Sequence, residues 1–322
     1  MTDSGFIRAI AKASLIQRLR HRWFAQSMAS SAKRLDICAA EVANYFLLSG
    51  MPKQPILRDK VCLEVGSGWL LTHSLIFYLL GAKKVYATDI EALFQPQAVA
   101  KAIQSSIDWV VLDSLSAFEK RSSIQARLER LQSVEQYSIE SLRDLGIEYI
   151  APLDLSREPL HHYNHPDVSK ADFIFSKSVL EHVPTDDVPL LLNNLEASLS
   201  DSGFMFHLIH LDDHKNLSDP FAFLSRPGAS YSKSMQTKWG NRIRCSQWEE
   251  LFSNLDRLNA RTAFKWTRDR RPLPRSIDGS IQHAGEADLR VSHIGVFGQK
   301  KECRNLWQNL GTNRNRYVEQ VA

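Results

Sequence analysis

The sequence predicts an α/β protein with a doubly wound, mostly parallel sheet. Three observations carry that expectation. Short apolar runs alternate with longer helical patterns, a Gly-x-Gly turn follows the first run, and an acid closes the second. Such alternation needs helices on both faces of one sheet, because each crossover between parallel strands must pass over a face.

Strand candidates fall at 61–65, 84–88, 149–153, 172–176 and 204–209, with two later ones at 263–267 and 292–297. Between them, 70–80 reads as a helix stopped by Gly81, and 188–199 as a helix ended by the turn before Gly203. A further helix is expected over 246–255. Residues 1–50 read as a helical N-terminal cap: Phe6, Ile7, Ile10, Ala11, Leu15 and Leu19 keep helical spacing, and Val42, Tyr45 and Phe46 continue it toward the core. The main domain spans 51–300. Two stretches exceed what the alternating pattern needs, at about 90–146 and 211–245, and read as insertions that serve as lids or binding elements or else are disordered. A polar tail, 301–322, is expected to be loosely attached.

Composition sets bounds on function. With 43% hydrophobic and 24% charged residues, the chain has enough apolar surface for a large core, which excludes wholesale disorder. A net charge of +4 gives no global field for a nucleic acid partner. Basic residues do gather at the start (Arg8, Lys12, Arg18, Arg20, Arg22), as a solvated helix face or a peripheral membrane contact would require, and again at Lys265–Arg271. Four scattered cysteines with no CxxC pair suit a reduced compartment, and the longest apolar run, at 75–80, is too short to span a bilayer. A soluble, cytoplasmic protein is expected.

Chemistry gathers at the first turn. In Val61-Cys62-Leu63-Glu64-Val65-Gly66-Ser67-Gly68, the two glycines let the backbone bend sharply and approach a ligand closely. Asp89 lies about twenty residues beyond the second glycine, where a carboxylate takes two ribose hydroxyls. A dinucleotide turn wants a third small residue, and Leu71 stands there. It also wants an electropositive strand end, where this chain has Glu64, an acid suited to an ammonium and a sulfonium.

On these residues the chain resembles the class I S-adenosylmethionine-dependent methyltransferases over about 55–300. Glu64-Val65-Gly66-Ser67-Gly68 looks like the first motif of that family, and Asp89 like its ribose-binding acid. Leu153-Asp154-Leu155 looks like the element that meets the adenine amino group. Phe173-Ile174-Phe175-Ser176, followed by Val179-Leu180-Glu181-His182-Val183, looks like the fourth strand and its loop. The resemblance implies a Rossmann-like sheet of seven strands with the last antiparallel, S-adenosyl-L-methionine as cofactor, and cofactor contacts from Glu64, Gly66, Ser67, Gly68, Asp89, Ile90, Asp154, Leu155 and Ser176.

The acceptor side rests on histidines. His182, after the fourth strand, and His210, at the end of the fifth, are the candidates for a general base toward an oxygen acceptor. His207, Asp213 and His214, with Asn241-Arg242-Ile243-Arg244, resemble a pattern in a bacterial subgroup of these enzymes, which implies substrate contacts for His207, Asp213, His214 and Arg242. No metal is assigned, because no His-x-x-x-His spacing falls on a helix pattern. The expected activity is methyl transfer to a small-molecule or sugar-like acceptor at oxygen. An RNA or protein acceptor, or a non-catalytic interaction module, stands as the alternative.

Overall fold

The computed structural model describes residues 25–31, 33–163, 168–216, 218–303 and 317–319; the basic start at 1–24 lies outside the described residues. Helix α1 covers Leu35–Leu48, β1 Val61–Val65, α2 Thr72–Leu79 and β2 Lys84–Thr88. Four helices follow, α3 Pro96–Gln104, α4 Asp108–Leu115, α5 Arg121–Gln132 and α6 Ile139–Asp144, before β3 Ile147–Ile150. Then come β4 Ala171–Lys177, α7 Val188–Ser198, β5 Leu199–His210, α8 Lys233–Trp239, α9 Cys245–Ser253, β6 Leu258–Thr267, α10 Glu286–Leu289, β7 Val291–Lys300 and β8 Tyr317–Glu319.

The strands form one sheet in the order β3-β2-β1-β4-β5-β7-β6-β8. The ladders β1–β2, β1–β4, β2–β3 and β4–β5 are parallel, and β7 runs antiparallel between β5 and β6. The seven-stranded, Rossmann-like sheet expected from the sequence is therefore present, with β8 added parallel to β6 at the edge. That edge strand corrects the reading of 301–322 as a loose tail: part of it, Tyr317–Glu319, pairs with Lys265–Thr267.

Strand alternation sends the two halves of each strand to different layers. Phe173, Phe175, Phe204, Phe206 and Leu208 enter a core with α1, α2, α4 and α5, while Ile174, Met205 and Ile209 enter a second core with α7 and α9. Helix α1 is thus part of a helical layer. Its Tyr45 stacks on Phe206 at 6.0 Å between centroids, and Phe46 meets Phe118 and Phe173 edge-on at 5.3 and 6.0 Å.

The first expected insertion has a different role from the one read in the sequence. Val111, Leu115, Phe118, Ile124 and Leu128 from α4, α5 and the turn between them are fully buried or nearly so, in the same core as Phe46 and Phe77. The stretch 90–146 is a structural layer, and its polar pattern reflects helices that bury one face only. The second, 211–245, joins the β6–β7 connection to make a small satellite core of Phe221, Phe223, Leu224, Tyr231 and Leu289 at the carboxyl end of the sheet. β3 ends at Ile150, earlier than expected, because Pro152 has no N–H to continue a ladder. Among the described residues, no helix is long and apolar enough to cross a membrane.

Candidate functional site

The carboxyl ends of β1, β2 and β4 open onto a cavity of about 300 Å³, the position where open parallel sheets take ligands. Gly66, Thr88, Asp89, Ile90, Leu153, Asp154, Leu155, Val179 and His182 are among the residues lining it. A larger depression of about 720 Å³ lies at the opposite end of the sheet, around Lys60, Asp201 and Phe204, away from these groups.

Gly66 and Gly68 both adopt left-handed φ angles, +75° and +63°. A Cβ on Gly66 would sit 2.4 Å from Val179 Cγ2, whereas one on Gly68 would meet nothing within 4 Å. The first glycine is thus needed for packing, and the second leaves open space beside the cavity. Gly66→Ala is expected to destabilise the fold by about 1–3 kcal/mol through backbone strain and the forced shift of Val179. A urea midpoint unchanged from wild type would contradict this.

Asp89 Oδ2 accepts the Gly68 N–H at 2.9 Å and Oδ1 accepts the Glu91 N–H at 3.1 Å, so the turn itself aims the carboxylate. Burial pushes its pKa above the usual aspartate value, partly offset by those two amides. Ile90, next along, is 63% exposed at the rim, an apolar side chain waiting for cover. Asp154 receives the Ser156 N–H at 2.9 Å and its hydroxyl at 2.6 Å, leaving Oδ2 only a long contact from Arg157 at 3.4 Å. Ser67, in the turn, has a buried hydroxyl with no hydrogen-bond partner among the described residues. Of the positions the sequence pointed to for a cofactor, Gly66, Asp89, Ile90, Asp154 and Leu155 line the cavity, and Ser67 and Gly68 belong to the turn that leads from Gly66.

Two others do not. Glu64 is buried, with Oε1 2.8 Å from His73 Nδ1 and Oε2 accepting the Ser74 N–H and hydroxyl at 2.9 and 2.5 Å. It caps α2 from the adjacent strand, because Leu71, in the N-cap position with φ +51°, offers no side-chain acceptor. Ser176 is fully buried and hydrogen-bonded to His207 Nδ1 at 2.7 Å, away from the cavity lining.

On the acceptor side, His182 is the sequence-predicted residue that lines the cavity. Its Nδ1 lies 2.8 Å from the Thr237 carbonyl, which can only accept. Nδ1 must therefore carry the proton, and Nε2 keeps its lone pair. His182 begins a row of rings: His214 is 4.4 Å away between centroids, His210 lies 4.3 Å beyond, and His293 stacks on His210 at 4.2 Å and 9°. His210 is therefore set back from the cavity lining, two rings along from His182.

The remaining substrate assignments are corrected by burial. His207 is wholly buried between Ser176 and Met205, with Phe252 alongside, and desolvation pushes its pKa down to about 3; it is a neutral core residue. Asp213 folds back on its own loop, accepting the Lys215 N–H at 2.8 Å. Arg242, at φ +64°, lays its guanidinium 3.9 Å over the Tyr231 ring and donates to the Arg226 carbonyl at 2.6 Å, bracing the satellite core. Of the basic cluster, Lys265 pairs with Glu249 at 2.8 Å and Arg268 with Asp212 at 2.6 Å.

Sequence reasoning missed Glu181, Asp212 and His293. His293 stands opposite His210 in the β5–β7 ladder, a pairing that no local signal gives. Asn241, by contrast, was within a singled-out motif; its Nδ2 donates to the Leu180 and Val183 carbonyls at 3.0 and 2.9 Å and so fixes the turn that carries Glu181 and His182.

The strand order, the antiparallel β7 and the left-handed glycine turn after β1 give a Rossmann-like, doubly wound fold of the kind that class I methyltransferases share. No protein-family model and no curated protein matches the sequence. Among solved structures, the chain is similar to a Nostoc punctiforme protein provisionally described as an O-methyltransferase (12% identity, 86% of this chain and 60% of that one, TM-score 0.42). It is also similar to an O-methyltransferase family protein of Burkholderia thailandensis (10%, 87% and 59%, TM-score 0.41). A third likeness is to DhpI in complex with SAH (12%, 87% and 96%, TM-score 0.40). The chain spans about 60% of the first of these structures.

Proposed function

We propose that this protein is an S-adenosyl-L-methionine-dependent methyltransferase acting on oxygen of a polar small-molecule or sugar-like acceptor. The observation that carries the reading is one cavity that joins the Asp89 carboxylate, aimed by the glycine turn, to His182 with an unprotonated Nε2. Bound there, the cofactor supplies a methyl group on a sulfonium. Asp89 would hold the ribose hydroxyls, Asp154 the adenine amino group, and Leu153, Leu155 and Leu191 the faces of the purine. His182 Nε2 would take the acceptor hydroxyl proton as the new bond to oxygen forms. The polar surroundings of His182, with His214 against it and the Thr237 carbonyl beside it, suit an acceptor rich in hydroxyls. The reading includes a cytoplasmic location, in keeping with four free cysteines.

Calorimetry with the cofactor tests the central claim. Asp89→Ala removes a charged acceptor of two hydroxyl hydrogen bonds, each worth about 1.5–3 kcal/mol, so affinity should fall by about 10²-fold or more. Because burial raises the Asp89 pKa, affinity should also decline on acidification before the ordinary aspartate range is reached. Absence of cofactor binding to the wild type, or equal affinity in the variant, would overturn the reading. Binding that weakens steeply with added salt for an RNA, alongside turnover of that RNA, would favour a nucleic acid acceptor instead.

A further inference from the structure

Glu181 is only 1% exposed, yet neither carboxylate oxygen accepts a hydrogen bond. His214 Nε2 stands 3.5 Å from its Oε1, and that nitrogen too has no hydrogen-bond partner among the described residues. A buried carboxylate without donors costs several kcal/mol unless something positive meets it, and among the described residues no lysine or arginine is paired with it. The turn that carries Glu181 is not free to swing out to water. The Glu181 carbonyl accepts the Asn241 N–H at 2.6 Å, and the Asn241 side chain holds the carbonyls on either side.

Ligand atoms of Glu181, His210 and His214 all lie within 4.8 Å of one another. That spacing is close enough for small side-chain rotations to bring three donors onto one ion at bond lengths near 2 Å. A second set of atoms, from His210, Asp212 and His293, meets the same criterion. The two sets are not equivalent. Asp212 already holds Arg268 at 2.6 Å, which supplies its positive partner, whereas Glu181 has none. Asp212 also stands 3.3 Å from His210 Nε2, the place of the carboxylate that commonly orients a metal-bound imidazole.

We propose that Glu181, His210 and His214 form a binding site for a divalent first-row transition cation, behind His182 and set back from the cavity lining. Two imidazoles and one carboxylate favour zinc, iron, cobalt or manganese over magnesium or calcium, which prefer oxygen donors. Three protein ligands leave positions open for an exogenous oxygen, the pattern of catalytic rather than structural sites. The site itself rests on the side-chain geometry alone. Its role rests on the methyltransferase reading: an acceptor hydroxyl bound to the cation would have a lowered pKa and would release its proton to His182 more readily. His210 and His214 are four residues apart but not on a helix: these ligands come from the turn after β4, the end of β5 and the loop beyond it.

The test uses full-length protein stripped with a chelator and titrated with Co²⁺ alone, followed by its visible absorption. One equivalent should bind with the intense d–d bands of a four- or five-coordinate centre, and Zn²⁺ should displace it. Glu181→Gln and His214→Gln should each lower Co²⁺ affinity by at least 10²-fold, while Asp212→Asn retains one bound ion. Circular dichroism and cofactor calorimetry on the same samples verify the fold and keep the outcome separate from that of cofactor binding. If Glu181→Gln fails to fold, His214→Gln carries the decision. No Co²⁺ uptake by the wild type, uptake indifferent to both ligand variants, or loss confined to Asp212→Asn would overturn the assignment.

Discussion

His182→Gln is expected to lower turnover by about 10²–10⁴-fold, the contribution of a positioned general base, with cofactor affinity unchanged. Glutamine keeps a side-chain N–H for the Thr237 carbonyl, so the turn should hold, but it offers no basic nitrogen. The loss should therefore fall on kcat and not on the stability of the loop. The pH profile gives an independent check. Burial lowers the His182 pKa below its ordinary value of 6.5, with His214 adding to the effect and Glu181 opposing it. Only the neutral ring can accept a proton, so activity is lost as pH falls through that depressed pKa. The acid limb of the rate profile should thus be centred below 6.5. An acid limb centred at or above 6.5, or a His182→Gln enzyme with wild-type turnover, would remove His182 from the base position.

How far the sequence foretells the site depends on whether each residue's environment is local. Asp89 was legible because its distance from the glycine turn is fixed by one strand, one helix and the next strand; the hydrogen bond to Gly68 is the direct result. Gly66 was legible because a side chain has no room there. The errors come from the middle of the sheet. β5 is buried on both faces, so alternation around His207 and His210 cannot separate core from crevice. His207 then turned out to lie against Phe252 of α9, and His210 on the opposite face against His293. Glu64 looked available to a ligand because the gap in capping at Leu71 follows from a backbone angle that no residue pattern announces. Arg242 read as a substrate contact, though its guanidinium, like that of Arg244, is consumed by carbonyl oxygens of other segments.

Arg244→Met should cost about 3–5 kcal/mol of stability, a large part of what holds a typical domain together. The Arg244 guanidinium is wholly buried. It donates to the Leu211 carbonyl at 2.7 Å, the Leu289 carbonyl at 2.9 Å and the Val291 carbonyl at 2.8 Å. Methionine replaces most of the volume, so the cavity term is small, and the cost is that of three buried carbonyls losing their donors. Asp288 and Asp212 also lose the charge that favours keeping this guanidinium ionised against desolvation. Lysine keeps a charge but cannot reach three divergent acceptors, so Arg244→Lys should recover only part of the loss. Urea midpoints of the two variants decide the matter, and a Met variant within about 1 kcal/mol of wild type would show that the strut is dispensable. The location of the damage is the sharper prediction. Leu211 directly precedes Asp212, and Val291 opens β7 two residues before His293. Hydrogen exchange should therefore accelerate first at 211–214 and 289–293, loosening the histidine row from its far end while the glycine turn and Asp89 keep their protection. Acceptor turnover would then fall in Arg244→Met at temperatures where cofactor binding is still intact.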